Sequence, residues 1–144
     1  FDKNGVWGEY KNPEKPDKKD FLWNSPFLNP SMMFRGNALM AVGGFRVSSE
    51  TKRAEDYDLF FRLYAKGYKG FNIQEKLFNY RIEIENEKVQ KYRPMSDRIQ
   101  EAKVRYEGFK ELKIGVKGIP FVLKPILIGV IPNKLSYFIR KHNY

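Results

Sequence analysis

The feature that most restricts the fold is the stretch RAEDYDLFFRLYAKGYKG, from Arg53 to Gly70. Three carboxylates stand at its start and two glycines near its end, and aromatic residues at positions 57, 60, 61 and 64 recur at helical spacing between them. Acidic residues are favoured in the first turn of a helix because they face the positive end of its dipole. The stretch therefore predicts a helix from about Glu55 to Lys66 with one buried aromatic face.

The segments around this helix predict an α/β chain with short mixed strands. Strands are indicated at residues 6–10, 31–34, 71–73 and 77–82, and helical patterns at 37–42 and 86–112, the second interrupted at Pro94. An apolar stripe in the second helix comprises Ile99, Ala102, Tyr106 and Phe109. We expect residues 1–85 to form the main unit and residues 86–144 a helical C-terminal extension.

Composition excludes several kinds of site. The 144 residues include no cysteine and a single histidine, His142, which excludes disulfides, thiol nucleophiles, cysteine-ligated zinc and histidine-based triads. Lysine and arginine number 27 against 17 acidic residues, and the net charge of +10 favours anionic partners. The first residue is Phe1 rather than methionine, and we expect a fragment of a longer protein.

Two interpretations of the acidic stretch remain open on the residues alone. In the first, the carboxylates only begin a helix, and Asp58 pairs with Arg62 four residues later on its surface. In the second, a carboxylate at the helix N-terminus keeps a low pKa and stays ionised, which suits a general base that takes a proton from a hydroxyl.

Five motifs in order carry a resemblance over about residues 20–85. They are NPSMMFR (29–35), VGGF (42–45), AEDYDLFFRL (54–63), GYK (67–69) and LFNYRI (77–82). Their order and gaps closely resemble the second half of bacterial family 2 glycosyltransferases. The resemblance implies the C-terminal, acceptor-side half of a GT-A fold, in which a helix carries the acidic pair.

The resemblance also implies an activity. Asp56 takes the place of the catalytic base of an inverting single displacement, and Glu55 would support it or contact the acceptor. A nucleotide-sugar donor and a divalent metal, Mg or Mn, are expected, with the main metal ligands in an N-terminal half that has no counterpart here. This fragment alone is therefore expected to be inactive. Glu83 stands where the family often has a histidine. It could be an oxygen ligand of the metal or a solvated side chain, so metal binding by this half stays unknown.

Other candidate substrate-binding residues have structural alternatives. Trp23, with Phe27, could stack on a sugar ring or fill the core. Arg35 could bind a phosphate with its guanidinium or form an ion pair, and Arg81 has the same two alternatives. Asp58, the third carboxylate of the acidic stretch, joins these candidates.

The predicted function is part of a glycosyltransferase of cell-surface polysaccharide synthesis, acting on a glycan or lipid-linked acceptor. The alternative is a non-catalytic basic domain that binds membranes or nucleic acid. No nucleic-acid recognition motif is present, and we expect no such partner. The apolar run Ile119–Ile131 is shorter than the about 20 residues that span a bilayer, and basic residues flank it. The run could pack on the domain as core, but the basic residues favour binding to an anionic membrane surface, at the cytoplasmic face of the cell membrane.

Overall fold

A computed structural model of the chain describes residues 1, 5–6, 8–81 and 93–131. Within these ranges the helices are α1 (Gly36–Ala41), α2 (Glu55–Ala65), α3 (Met95–Glu111) and α4 (Ile119–Val130). Two short 3-10 turns add Asn29–Ser31 and Gly115–Gly118. The same ranges contain no β-strand. The predicted α/β, GT-A-like fold class is therefore wrong for the described residues, which are helical with long irregular segments.

The predicted strand at 71–73 is absent because the segment beside it cannot form a ladder of backbone hydrogen bonds. The segment that faces Asn72 contains Pro13 and Pro16, and proline has no N–H to donate. Asn72 makes isolated bonds instead, from its backbone N–H to the Glu14 carbonyl (2.8 Å) and from its side-chain amide to the Pro13 carbonyl (2.7 Å). Apolar side chains between residues 71 and 80 stay exposed. Alternation of apolar residues thus predicted strands that find no partner strand.

The other two predicted strands are also absent from the described residues. Residues 8–10 have no regular secondary structure, and Trp7 lies outside the description. The predicted strand at 31–34 begins with Ser31, which closes the 3-10 turn that contains Pro30. The remaining residues of this segment are not paired into a strand.

The first two helices confirm the sequence prediction. α1 ends at Ala41, and Gly43 and Gly44 follow with φ angles of 74° and 68°, in the left-handed region that favours glycine. α2 begins at the predicted Glu55 and ends one residue before the predicted Lys66. Gly67, with a φ of 87°, then reverses the chain.

The core is built from aromatic rings that the irregular N-terminal segment places on α2. Phe21 is fully buried, with ring centroids 4.7 Å from Tyr64 and 5.2 Å from Phe61. Phe27 packs against Phe60 at 5.2 Å. Each buried ring contributes about 1.5–3 kcal/mol relative to an exposed one, so this cluster holds the segment before α1 to α2. Phe27 is therefore a core residue.

α3 packs against α2 through a face that differs from the predicted stripe. Ala102 and Phe109 are buried as predicted, whereas Ile99 and Tyr106 are 42% and 55% exposed. The inward face instead carries Arg105. The apolar stripe was predicted from hydrophobic residues alone, so the prediction could not include Arg105 in the buried face of α3.

α4 lies antiparallel to α3. Gly118, at its start, adjoins Phe109 near the end of α3, and Gly129 adjoins Arg98 near the beginning of α3. The opposite side of α4 exposes four apolar residues at helical spacing, here called the α4 stripe: Ile119, Leu123, Leu127 and Val130. Within the described ranges, none of the helices has the length and hydropathy needed to cross a membrane.

Several predictions fall outside the described residues. They include the helical pattern at 86–92, the site at Glu83 and the basic ending from residue 132. The proposed boundary between residues 85 and 86 lies in the same undescribed range and stays a prediction.

We expect Gly108→Ala to lower the free energy of unfolding by about 1–3 kcal/mol. A Cβ at position 108 would overlap the buried ring of Phe61, and overpacking of this kind outweighs the helix propensity that alanine adds. Urea denaturation followed by circular dichroism measures the change. Gly36→Ala is the matched control, because nothing lies within 4 Å of its Cβ; equal stability of the two variants would contradict close packing of α2 on α3.

Candidate active site

A cleft of about 340 Å³ opens where three parts of the chain meet. One wall is the N-terminal segment, with Tyr10, Asn12 and residues 24, 25, 27 and 28. The floor consists of Arg53 and Ala54, directly before α2, and of Asp56 and Tyr57 in its first turn. The third wall comes from α3 and the residue that precedes it by two positions: Arg93, Glu101 and Arg105. The volume is sufficient for a small polar ligand.

Asp56 reaches this cleft from the first turn of α2. Its Oδ1 atom accepts a hydrogen bond from the backbone N–H of Tyr57 (2.7 Å), and it forms no ion pair within the described part of the chain. Burial raises the pKa of Asp56 above its usual value, the Tyr57 N–H opposes this, and the charges of Glu55 and Glu101 add to the increase. The expectation of a lowered pKa is therefore wrong, because desolvation outweighs the helix terminus. A raised pKa suits a general base better, since it lies closer to neutral pH.

Glu101 organises the α3 wall. Arg93 donates from Nη1 to its Oε2 at 2.6 Å, and Arg105 donates from Nε to its Oε1 at 3.0 Å. Arg105 also donates to the carbonyls of Leu22 (3.1 Å) and Trp23 (3.3 Å). Its guanidinium lies 5.0 Å from the centre of the Tyr57 ring. One buried arginine thus connects α3, α2 and the loop at the cleft.

Arg53 precedes the acidic pair in a strained conformation. Its φ of 63° is left-handed, which is uncommon for a residue with a side chain. Asp97, buried in the first turn of α3, lies 3.9 Å from the Arg53 Nε. The backbone carbonyl of Arg53 accepts a hydrogen bond from Arg93 at 3.4 Å. The entry into α2 is therefore held by groups at the start of α3.

The three carboxylates of the acidic stretch have different surroundings. Glu55 is exposed beside the cleft and does not line it. Asp58 is buried on another side of α2, 2.8 Å from Arg62 and 3.5 Å from Arg46. The predicted pairing of Asp58 with Arg62 is confirmed, although the pair is buried rather than on the surface. Arg62 also donates to the carbonyls of Val42 and Gly44, so it attaches the turn after α1 to α2.

The remaining predicted residues lie outside the cleft lining. Trp23 is 63% exposed and precedes Asn24, which does line the cleft. Arg35 is exposed at the start of α1, and Arg81 is exposed at the end of the first long described range. Of the predicted site residues, the structure thus places Asp56 in the cleft and Trp23 at its edge.

The cleft does not fit a divalent cation. Magnesium prefers several carboxylate or carbonyl oxygens, but both oxygens of Glu101 are bound by arginines and three guanidinium groups line the same space. In the described part of the chain, no group of three or more His, Asp or Glu side chains could hold a metal.

Reasoning from the sequence missed most of the cleft. Arg53, Arg93, Glu101 and Arg105 were not singled out. The contact between Arg93 and Arg53 and the contact between Arg105 and Leu22 each join residues that are distant in the chain. One local signal was present. Glu101 and Arg105 are spaced i,i+4 in α3, which is the spacing of an ion pair.

Comparison with known proteins gives one match. A curated protein of Bacillus subtilis (strain 168), named "Putative glycosyltransferase EpsE", is 30% identical over 132 residues, which cover 92% of this chain. They cover 46% of that protein, so the chain spans less than half of the relative's length. No protein-family model matches the chain, and no solved structure matches it. The chain is thus distantly similar to a glycosyltransferase sequence.

We expect Glu55→Gln to lower the pKa of Asp56. The Glu55 charge contributes to the raised pKa, and its exposed side chain can change without disturbing the core. Glu101 and the arginines at 53, 93 and 105 remain in place around the cleft, so the shift reports Glu55 alone. Carbon-13 NMR of the Asp56 carboxyl across a pH titration measures it. An Asp56 pKa at or below the usual aspartate value in the unmodified chain would contradict the desolvated site.

Proposed function

We propose that this chain is part of an inverting glycosyltransferase in which Asp56 is the general base. The enzyme moves a sugar from a nucleotide-sugar donor to a glycan or lipid-linked acceptor in cell-surface polysaccharide synthesis. The observation that carries the proposal is that Asp56 lines the cleft with a raised pKa and no ion-pair partner among the described residues. The distant similarity to a glycosyltransferase sequence supports the same class of chemistry.

The chemistry assigned to Asp56 is a proton transfer. An acceptor hydroxyl in the cleft gives its proton to the Asp56 carboxylate while its oxygen attacks the anomeric carbon of the donor, and the nucleoside diphosphate leaves from the opposite side. Tyr57 fixes one carboxylate oxygen through its backbone N–H, so a second oxygen remains for the hydroxyl. Since α2 carries this side chain on a packed helix, its position is well defined.

Other predicted residues would assist binding. Trp23 offers an exposed indole at the edge of the cleft, where sugar rings commonly stack on aromatic faces. Lys124 lies over this ring, its Nζ 3.7 Å from the ring centre, and occupies one side of it. Glu55, next to Asp56 in the sequence, would contact the acceptor. Arg35, Asp58 and Arg81 stay proposals for substrate binding, and the main ligands of any Mg or Mn would lie outside this chain.

The α4 stripe supports a peripheral position at the cytoplasmic face of the membrane. From Leu112 to the C-terminus the sequence has six lysines and arginines and no acidic residue. Basic residues near an anionic leaflet contribute about 1 kcal/mol each, and burial of the stripe in the headgroup region adds to binding. A lipid-linked acceptor would be presented at this surface.

In the complete enzyme, Asp56→Asn is expected to lower kcat by at least the ~10²-fold typical of losing a general base. Steady-state transfer assays with the donor varied would show the loss in kcat and little change in donor KM, because the donor half lies elsewhere. The variant should fold as stably as the original, since burial disfavours the charged form that asparagine removes.

Glu50→Gln is the matched control for this experiment. Glu50 is exposed in the loop before α2 and does not line the cleft, so this substitution removes one negative charge at a position away from the site. A folded Asp56→Asn enzyme with a kcat similar to that of the Glu50→Gln enzyme would rule out Asp56 as the base.

The chain is expected to sediment with vesicles that contain anionic phospholipid, and moderate salt should weaken this binding without abolishing it. Deletion of residues 118–144 should remove it, and Leu123→Gln with Leu127→Gln should weaken it strongly, because both side chains are exposed in the α4 stripe. Co-sedimentation at low and moderate salt measures the effect.

Two substitutions at other exposed apolar positions control for general hydrophobicity. Met33→Gln and Val47→Gln change side chains that are 94% and 97% exposed and lie outside α4. If the original chain stays in the supernatant at low salt, or if these controls reduce binding as much as the α4 variants, the membrane role is wrong.

A further inference from the structure

α4 contributes one charged side chain to the edge of the Asp56 cleft. The Lys124 ammonium donates to the Trp23 carbonyl and, at 3.0 Å, to the side-chain Oδ1 of Asn24. Its Nζ also lies 3.7 Å from the centre of the Trp23 ring. Asn24 lines the cleft, and Trp23 precedes it. One ammonium thus contacts the backbone and both side chains at the cleft edge.

The backbone and the side chains at this edge depend on Lys124 to different degrees. The Trp23 carbonyl has a second donor, because Arg105 reaches it from α3 at 3.3 Å. The Asn24 Oδ1 has Lys124 as its only hydrogen-bond partner among the described residues. The indole has one aromatic neighbour in the described part of the chain, Phe121 of α4, in a T-shaped arrangement at 6.3 Å. Lys124 therefore orients side chains at a place where Arg105 already holds the backbone.

The contact with Lys124 also decides which end of the Asn24 amide is left for a ligand. An ammonium only donates hydrogen bonds, so the amide must turn its Oδ1 atom toward Lys124. The Nδ2 group, which donates, forms no hydrogen bond with the described residues and remains for a partner that accepts. An exposed indole beside an amide donor matches an uncharged sugar, whose hydroxyl oxygens accept hydrogen bonds and whose ring stacks on aromatic faces.

We propose that Lys124 is a positioning residue, which holds the Trp23 indole and the Asn24 amide in the arrangement that receives an uncharged sugar at the Asp56 cleft. This inference rests on the proposed glycosyltransferase function. It adds to that function a residue of α4 that acts on the sugar through two neighbouring side chains.

The ionisation of Lys124 gives this role a pH dependence. Burial lowers the pKa of Lys124 to about 8, the Arg105 charge adds to this effect, and Glu101 opposes it. Both of these charged groups lie on α3, whereas Trp23 and Asn24 do not titrate and α4 has no other charged residue. The ammonium is therefore present below that pH and lost above it. Because a neutral amine has no cation–π attraction to the indole, sugar binding should weaken as the pH rises through about 8.

Titration of the chain with glucose tests the proposal without any transfer reaction. The chain has two tryptophans, so Trp7→Phe leaves Trp23 as the fluorescent reporter in every variant. Lys124→Met keeps an unbranched side chain without the cation and should weaken glucose binding about threefold or more, which is the size of one net hydrogen bond. Raising the pH from 7 to 9 should weaken binding similarly in the original chain but not in Lys124→Arg, because arginine stays charged.

Lys117→Met is the matched control. Lys117 is exposed in the turn before α4, and the same substitution there should leave glucose affinity and its pH dependence unchanged. If Lys124→Met fails to fold, the comparison of the original chain with Lys124→Arg across pH still decides the question.

Three outcomes would overturn the proposal. The first is a chain whose Trp23 signal shows no saturable response to glucose, and the second is equal glucose affinity in folded Lys124→Met and the original. The third is tighter binding of glucuronate than of glucose that Lys124→Met abolishes and Lys124→Arg keeps, because Lys124 would then contact the ligand directly. All three are independent of the Asp56→Asn transfer assay, since glucose binding requires no general base.

Discussion

The described structure depends on side-chain donors that satisfy the carbonyl groups of irregular backbone. Segments without helix or strand leave many carbonyls that must find partners when they are buried. Tyr57 donates to Phe21, Tyr64 donates to Pro16 at 3.1 Å, and Arg62 donates to Gly44 at 2.8 Å. All three donors project from α2. The aromatic cluster supplies apolar burial, and these bonds fix the path that the loops follow across the helix.

The same arrangement produces the cleft. Arg105 binds the carbonyls of Leu22 and Trp23 from α3, and Lys124 donates to the Trp23 carbonyl from α4. The loop is thereby held against α3 and α4 beside the start of α2. Desolvation and the nearby Arg105 charge lower the pKa of Lys124 to about 8. The contact between α4 and the cleft edge therefore loses its charge above that pH.

Sequence reasoning could predict what is local. The bounds of α1 and α2 follow from glycine positions and aromatic spacing, and the pairing of Asp58 with Arg62 follows from their separation of four residues. The described residues 77–81 form no strand. The strand at 71–73 was also wrong because a strand needs a paired segment, and prolines at 13 and 16 deprive the segment that faces Asn72 of donors. The α3 wall was missed for the same reason. Whether Arg105 faces water or the core depends on carbonyls more than 80 residues earlier in the chain.

The three carboxylates of the acidic stretch show how one short sequence separates structural from chemical roles. Asp58 points toward Arg62 and Arg46 and is neutralised there, so it contributes to the attachment of α1. Glu55 remains in solvent and acts on its neighbour through its charge. Asp56 is desolvated in the cleft without a compensating ion pair among the described residues, which disfavours its charged form. A helix start alone would gain nothing from that cost, whereas the general base that we propose would gain a pKa closer to neutral pH.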